Sequence, residues 1–315
     1  MHERADAQRE GASVNAPERI FVTGRGAVNA WECDQWGHMN VQFYLAKASD
    51  AQAHLAARIG LTPSRLRASG AALRPLTDRT LFKRELRSAE IHLVRSGIRS
   101  VQPEGTLDLA SRMFNAETGV ESAAFETRLR FVGPGEVALP WPEDVLAAAG
   151  ACAGELSEFT PPAPMAASLP PALPPLDSLL LTYRGSVEPW ECASDGIAPP
   201  RAHIARFNDA ITHLFRAMKI DRNALFASGT GSAALDYDIV YHRPMRSGTG
   251  VDVRSGVLAV GEKVYHIFHL IVDSTDGGLL TSIVVAALFF DLKARKSIAM
   301  PPAIRADAER LLVHG

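Results

Sequence analysis

The chain has 315 residues, of which 47% are hydrophobic and 22% are charged, and its formal net charge is -2. This composition is typical of a folded globular protein, and the length allows one large domain or two of ordinary size. The near-neutral charge provides no basic face for nucleic acid, and no apolar run reaches the roughly 18 residues that a membrane span needs.

The first eighteen residues are polar and aperiodic, which predicts a flexible arm. Their start lacks the apolar core of a secretory signal. The three cysteines have neither a disulfide-framework spacing nor a metal-site spacing, and no glycine-rich phosphate loop or dinucleotide motif occurs. We therefore expect a cytoplasmic protein that holds no metal or cofactor and has no nucleic-acid or membrane partner.

Residues 19–133 are predicted to form one unit, in the order strand, long helix and four strands. β-Branched and aromatic residues between Ile20 and Glu32 indicate the first strand. Apolar residues then recur every three or four positions from Val41 to Ile59, which is the pattern of an amphipathic helix. Strand patterns follow at 72–86, 89–101, 105–115 and 121–132.

A connector and a second unit follow. Residues 134–177 are rich in Pro, Ala and Gly, which predicts a semi-extended connector with one or two helical turns near 142–149. Residues 178–293 then repeat the first unit at a fixed shift of 159 positions, so that Trp31-Glu32-Cys33 aligns with Trp190-Glu191-Cys192. Residues 294–315 form a tail. Two such copies predict a fused pseudo-dimer rather than a longer repeat array.

The two copies differ at the polar positions of the loop before the long helix. The framework Trp, Glu, Cys and Gly residues are kept in both. The changes are Asp34 to Ala193, His38 to Ile197, Asn40 to Pro199 and Tyr44 to His203. Alanine caps helices poorly, so this pattern favours a functional role for Asp34 over a capping role, although Ser194 or Asp195 could cap in place of Ala193.

The residues Asp34, Gly37, His38-Met39-Asn40 and Tyr44 resemble the motif of the 4-hydroxybenzoyl-CoA thioesterase branch of the hotdog-fold superfamily. The resemblance covers about residues 20–132, and the second unit, at about 178–292, departs from the motif at each polar position. It implies an α+β fold of two tandem hotdog units, each with an antiparallel sheet wrapped around a long central helix. It also implies an acyl-CoA substrate, with coenzyme A as part of the substrate and no further cofactor.

The resemblance implies roles for the motif residues as well. The acid at the position of Asp34 is the nucleophile or the general base of thioester hydrolysis. Backbone N–H groups from Gly37 through His38 to Met39 are predicted to bind the thioester oxygen at the helix start. Asn40 and Tyr44 are candidate substrate contacts, with helix capping and packing as their alternatives. The His38 side chain orients the thioester or a water, helps to hold Asp34, or is only hydrogen-bonded within the loop.

Two other functions remain open at this point. The first is a hotdog protein that binds acyl-CoA without hydrolysing it, as a regulator or partner subunit. The second is a hotdog hydratase or dehydratase, but the Asp-x-Asn-x-x-His segment that those enzymes carry does not occur here. The sequence does not identify the acyl group or separate coenzyme A from acyl carrier protein. It also leaves open whether pseudo-dimers pair further into homo-oligomers.

Overall fold

The computed structural model describes residues 18–313, so the predicted N-terminal arm lies outside the described residues except for Glu18. The first unit has the predicted order of strand, long helix and four strands, with one additional short helix. Its elements are β1 (Ile20–Ala27), α1 (Val41–Arg58), α2 (Pro63–Ser69), β2 (Ala72–Phe82), β3 (Ile91–Gln102), β4 (Thr106–Asn115) and β5 (Glu121–Val132).

The second unit repeats this order after a connector that contains one helix, α3 (Glu143–Cys152). Its elements are β6 (Leu180–Ser186), α4 (Pro200–Ala217), α5 (Arg222–Ala227), β7 (Thr230–Tyr241), β8 (Gly250–Val260), β9 (Val264–Asp273) and β10 (Leu279–Asp291). The tail is structured: it adds a short strand, β11 (Lys296–Ile298), beside β10 and a final helix, α6 (Pro302–Glu309).

Within residues 18–313 all the strands belong to a single antiparallel sheet. Its order is β1-β3-β4-β5-β2-β7-β10-β9-β8-β6, with β11 attached to β10. The first unit contributes β1-β3-β4-β5-β2 and the second contributes the equivalent strands in the reverse order, β7-β10-β9-β8-β6. This is the arrangement expected for a pseudo-two-fold axis between β2 and β7. The prediction of two tandem hotdog units is therefore confirmed.

The two units are joined by a pair of adjacent strands and by an ion pair between those strands. β2 and β7 pair antiparallel, with Arg79 opposite Asp238. The Arg79 guanidinium donates two hydrogen bonds of 2.6 Å to the carboxylate oxygens of Asp236. This bidentate geometry joins the units more strongly than a single surface ion pair would. The cores also meet, because Leu45 of α1 packs into the apolar core around α4.

The connector is packed on the protein rather than loosely extended. Trp141, Val145 and Phe159 are buried, with exposed fractions of 5%, 0% and 1%. The guanidinium groups of Arg99 and Arg112 also donate hydrogen bonds to the carbonyl oxygens of Phe159 and Thr160. The proline content predicted the extended backbone between these points, but the apolar anchors hold the segment against the sheet.

Candidate functional site

The loop before each long helix is held to that helix by a repeated ion pair. In the first unit the Glu32 carboxylate accepts hydrogen bonds from Lys47 at 2.8 Å and from the Asn29 N–H at 2.8 Å. In the second unit Glu191 is bound in the same way by Arg206 at 2.6 Å. Since Glu32 and Lys47 are largely buried, the pair is poorly screened by solvent and fixes the loop that carries Asp34.

The Asp34 carboxylate is oriented by the backbone of its own loop. Oδ1 accepts hydrogen bonds from the N–H groups of Trp36 at 2.9 Å and His38 at 3.1 Å. The turn closes through Gly37, whose φ of 78° lies in the region that favours glycine. Oδ2 has no hydrogen-bond donor among residues 18–313. One oxygen is thus fixed, and the other is available to attack a carbonyl or to accept a proton.

The structure corrects the predicted oxyanion site at Gly37 to Met39, because none of these three N–H groups is free. Gly37 N–H donates to the Asp34 carbonyl at 3.0 Å, and His38 N–H donates to the Asp34 carboxylate. Met39 N–H donates to the Leu86 carbonyl at 2.7 Å. These groups build the loop and orient Asp34, but they cannot also bind a thioester oxygen without breaking those bonds.

At the start of the helix, the N–H group without an acceptor is that of Val41, the first residue of α1. Asn40 is the N-cap of this helix, as one of the two sequence interpretations had it: its side-chain oxygen accepts from Gln42 N–H at 3.1 Å. The N–H of the first helical residue has no acceptor within the helix, and in the described part of the chain Val41 N–H has none elsewhere. It lies at the positive end of the α1 dipole.

A cavity of about 150 Å³ opens beside Asp34, Asn40 and Val41. Its other walls come from the second unit, from α4, α5 and the strands β7, β9 and β10. The apolar lining residues are Phe207, Ile211, Phe215, Ala234, Ile267, Val285 and Ala287, and the polar ones are Asn208, Arg222, Ser232, Tyr237, Tyr265 and His269. The candidate site is therefore shared between the units, with the carboxylate from one and the pocket from the other.

Sequence reasoning did not identify the second-unit residues of this cavity. Asn208 donates a 2.6 Å hydrogen bond to the Asn40 side chain, and the hydroxyls of Ser232 and Tyr265 lie 3.1 Å apart. The His269 ring stacks on Phe207 and bonds to Ser255 at 2.6 Å, and burial lowers its pKa to about 3. A comparison of the two copies could have indicated these residues, because several cavity positions of the second unit differ from their counterparts in the first.

Tyr44 does not reach the cavity, which corrects its prediction as a substrate contact. It is 3% exposed, its hydroxyl accepts the N–H of Leu86 at 2.9 Å, and its ring packs edge-on against Phe82. Burial raises the pKa of the Tyr44 phenol to about 12. Packing and support of the Leu86 loop account for all of these contacts.

The His38 side chain also points away from the cavity lining. Its Nε2 lies 2.8 Å from a nitrogen of the Arg87 guanidinium and 3.5 Å from the Glu85 carboxylate. Arginine can only donate, so Nε2 of His38 is the acceptor in that bond. Within this structure His38 acts on Asp34 through its backbone N–H, and its imidazole is bound to the neighbouring loop.

The other half has a cavity of about 160 Å³ beside the start of α4, but a buried polar chain replaces part of the apolar wall there. The cavity residues Ile211, Tyr237 and Val285 have Gln52, Asp78 and Thr127 as their counterparts, with Val285 placed by strand register because the second copy is one residue shorter before β9. Gln52 donates to the Thr127 hydroxyl at 2.9 Å, and that hydroxyl donates to Asp78. Tyr241 from the second unit donates to the other oxygen of Asp78 at 2.8 Å. An apolar wall in one half thus corresponds to a closed hydrogen-bond network in the other.

Asp78 should give the folded protein a characteristic dependence on pH. Burial raises its pKa from 3.8 to about 6, against the hydrogen bonds from Thr127 and Tyr241. The pKa of Asp78 is higher in the folded protein than in the unfolded chain, so its contribution to the free energy of unfolding is fully present below about pH 4. This contribution falls by roughly 3 kcal/mol as the pH rises through 6. D78N cannot ionise, so its unfolding temperature relative to wild type should rise between pH 4 and pH 8.

Thermal unfolding of both proteins across this pH range measures the effect. Y241F is the matched control, because it removes a donor to the charged carboxylate and should make the pH dependence steeper. A constant difference between D78N and wild type at pH 4 and pH 8 would contradict the assignment.

The described residues contain neither a metal-binding cluster nor a membrane-spanning helix. Within residues 18–313 no cluster of three His, Cys, Asp or Glu side chains has the geometry to hold a metal ion. None of the helices in that range is both long enough and apolar enough to cross a membrane.

The model of one protein family, described as the thioesterase-like superfamily, matches residues 28–149 and 187–307. The two matched segments start one repeat length apart and together span more than half of the chain. No curated protein matches the chain.

Solved structures support the same fold at low sequence identity. A protein described as an oleoyl thioesterase from Lactobacillus plantarum superposes with a TM-score of 0.66 and 14% identity, covering 87% of this chain and 97% of that one. The 12:0-ACP thioesterase from Umbellularia californica gives a TM-score of 0.64 and 9% identity, covering 86% and 94%. An acyl-ACP thioesterase from Bacteroides thetaiotaomicron gives 0.60 and 9%, covering 86% and 98%. From its two family matches, the chain belongs to the thioesterase-like superfamily, as a tandem pair of hotdog units.

Proposed function

We propose that the protein is an acyl-CoA thioesterase with a single catalytic centre at Asp34. The observation that carries this proposal is a carboxylate with one unbonded oxygen in the lining of a cavity. Asp34 Oδ1 is fixed by two backbone N–H groups, while Oδ2 is free beside a space that is mostly apolar. This arrangement suits a carboxylate that acts on the carbonyl of a bound acyl group.

The proposed reaction divides the work between the carboxylate and the helix start. Asp34 either attacks the thioester carbonyl, forming an anhydride that water then hydrolyses, or removes a proton from an attacking water. In both routes the carbonyl oxygen becomes negative, and Val41 N–H at the start of α1 is the donor that stabilises it. The thiolate of coenzyme A leaves and takes up a proton.

The other half lacks each of these parts. Ala193 replaces Asp34, so there is no carboxylate. Pro200 replaces Val41 at the first position of α4, so there is no N–H group for an oxyanion. The polar chain through Asp78 takes the place of the cavity wall. We therefore assign turnover to the Asp34 half alone, with the second unit supplying its acyl pocket.

The test is a screen for release of free thiol over a panel of acyl-CoA and acyl-ACP thioesters. Turnover of an acyl-CoA by the wild-type protein is the expected result. Tight binding of acyl-CoA without thiol release across the panel would instead favour the alternative of a non-catalytic acyl-CoA-binding subunit. Membership of the 4-hydroxybenzoyl-CoA branch, which rests on the motif from Asp34 to Tyr44, predicts activity on aromatic acyl groups as well.

A further inference from the structure

Arg222 is a cavity residue that the hydrolytic mechanism does not use. It is the first residue of α5 and lines the same cavity as Asp34. Its guanidinium carbon lies 4.6 Å from the centre of the Trp36 ring and 5.9 Å from that of Phe215. Trp36 in turn stacks on Phe226 at 5.6 Å. Aromatic faces from both units therefore fix the position of the guanidinium.

No carboxylate within residues 18–313 forms an ion pair with Arg222, in contrast to other arginines that reach the interior. Those arginines each bind a carboxylate at 2.6–2.9 Å, and they are Arg74, Arg79, Arg99, Arg112 and Arg206. Burial lowers the pKa of the Arg222 guanidinium, but an arginine keeps its charge in proteins. The charge of Asp34 acts on Arg222 through space without an ion pair between them, so the guanidinium is only partly compensated, and an anionic ligand that bonds to it would reduce the cost of its dehydration.

Two hydroxyl groups stand near the same charge. The Tyr265 phenol is uncharged at neutral pH, because burial raises its pKa to about 12, and it therefore acts as a hydrogen-bonding hydroxyl. The Tyr265 hydroxyl lies 3.1 Å from that of Ser232, and both residues line the cavity. A guanidinium and two hydroxyl donors form a set that matches a carboxylate.

The repeat shows that this set belongs to the Asp34 half only. The counterpart of Arg222 is Pro63, and that of Trp36 is Asp195. By strand register the counterpart of Tyr265 is Leu107. The half without the catalytic acid thus has neither the cation nor its aromatic support, so the Arg222 set is linked to the presence of Asp34 rather than to the fold.

The anion must belong to the acyl group rather than to coenzyme A. The phosphates of coenzyme A are separated from the thioester by the whole pantetheine arm, whereas Arg222 shares the cavity with the attacking carboxylate. The size of the cavity restricts the acyl group further. A cavity of about 150 Å³ accepts about six heavy atoms, since an engineered cavity of that volume binds benzene, and this limits the part of the acyl group beyond the thioester carbonyl.

We propose that the site is selective for a compact acyl group that ends in a carboxylate, which Arg222 binds together with the hydroxyls of Ser232 and Tyr265. The substrates would be short dicarboxylic acids esterified at one end to a thiol. This inference rests on the proposed thioesterase function and adds the class of acyl group to it.

The experiment compares two thioesters of equal carbon count, glutaryl-CoA and valeryl-CoA. We expect the wild-type kcat/KM for glutaryl-CoA to exceed that for valeryl-CoA at least about tenfold, the scale of one charge-assisted hydrogen bond. Arg222→Met should reduce this ratio at least about tenfold, and Arg222→Lys should restore part of it. Arg222→Gln is a second neutral variant, and thermal unfolding shows that each variant is folded.

Each outcome decides one claim. A wild-type preference for valeryl-CoA, or a ratio that is the same in R222M as in wild type, overturns the role of Arg222 while leaving thioesterase activity intact. If no thioester is hydrolysed, the proposed function fails instead. Binding of the two thioesters to D34N, measured by calorimetry, then still tests Arg222: glutaryl-CoA should bind more tightly, and the R222M change should abolish the difference.

Discussion

Asp34→Asn is expected to lower kcat/KM for every accepted thioester by about a thousandfold, the middle of the range that a general acid or base contributes, or by more if Asp34 is the nucleophile. The substitution should leave the loop intact. Asparagine Oδ1 can accept the same N–H groups of Trp36 and His38 that now bind the carboxylate. The loss would therefore report chemistry rather than folding, and release of free thiol is the measurement.

Asp195→Asn is the matched control for this substitution. Asp195 occupies the corresponding loop of the second unit, where its Oδ1 accepts Ile197 N–H at 3.1 Å and its Oδ2 lies 2.8 Å from Arg74. It is also a loop carboxylate that bonds to backbone, but it is not part of the cavity beside Asp34. We expect D195N to keep wild-type kcat/KM within about twofold. A D34N variant as active as D195N would refute the assignment of Asp34.

Single turnover in ¹⁸O-labelled water separates the two roles that Asp34 can have. If Asp34 forms an anhydride and water then attacks its aspartyl carbonyl, the label enters the Asp34 carboxylate and the first product is unlabelled. If Asp34 activates a water, the label enters the acyl product directly. Mass spectrometry of the protein and of the released acid follows the label, and label in Asp34 identifies the anhydride route, since water activated by Asp34 labels the acid alone.

The overall architecture could be predicted from the sequence because it depends on local patterns and on the repeat. The three- and four-residue spacing from Val41 onward marks α1, and the helix ends within one residue of the predicted Ile59. The fixed register of the copies predicted the pseudo-dimer, and the strand order of the sheet has the corresponding symmetry. Such signals need no knowledge of which distant residues touch.

The N–H group that we propose as the oxyanion donor could not be predicted in the same way. The sequence indicated the helix start, but the first free N–H depends on which carbonyls reach the loop. Met39 N–H is taken by Leu86, which lies far along the chain on the segment between β2 and β3. That contact shifts the free donor from Gly37–Met39 to Val41. Similarly, the fixed position of Tyr44 follows from the Leu86 N–H that it accepts.

The motif around Asp34 also could not predict the cavity, because most of the residues that line it belong to the second unit. Ile211, Tyr237 and Val285 carry no recognisable motif, and only their pairing with Gln52, Asp78 and Thr127 shows that a cavity wall in one half is replaced by hydrogen-bonded polar groups in the other. The repeat alignment contained these differences. Their meaning required the structure, which shows that both sets lie at equivalent places beside the two helix starts.

Val41→Pro is expected to lower kcat by about 10²–10³-fold, the effect of losing one oxyanion donor. Proline lacks the backbone N–H and is well tolerated at the first position of a helix. Asn40 already has φ -65° and ψ 141°, which is the extended conformation that a following proline requires. The second unit shows that the fold accepts this residue, since α4 begins with Pro200 after Pro199.

Val41→Ala separates the loss of the N–H group from the loss of the side chain. Alanine keeps the N–H and removes only the methyl groups that line the cavity, so V41A should affect KM more than kcat. V41P should instead reduce kcat in the same proportion for small and large acyl groups, because the donor acts on the carbonyl common to all thioesters. Equal kcat values for V41P and V41A would exclude Val41 N–H as the oxyanion donor. A selective loss in V41P would also predict that Ala193→Asp alone does not make the second unit active, because that unit has proline at the corresponding position.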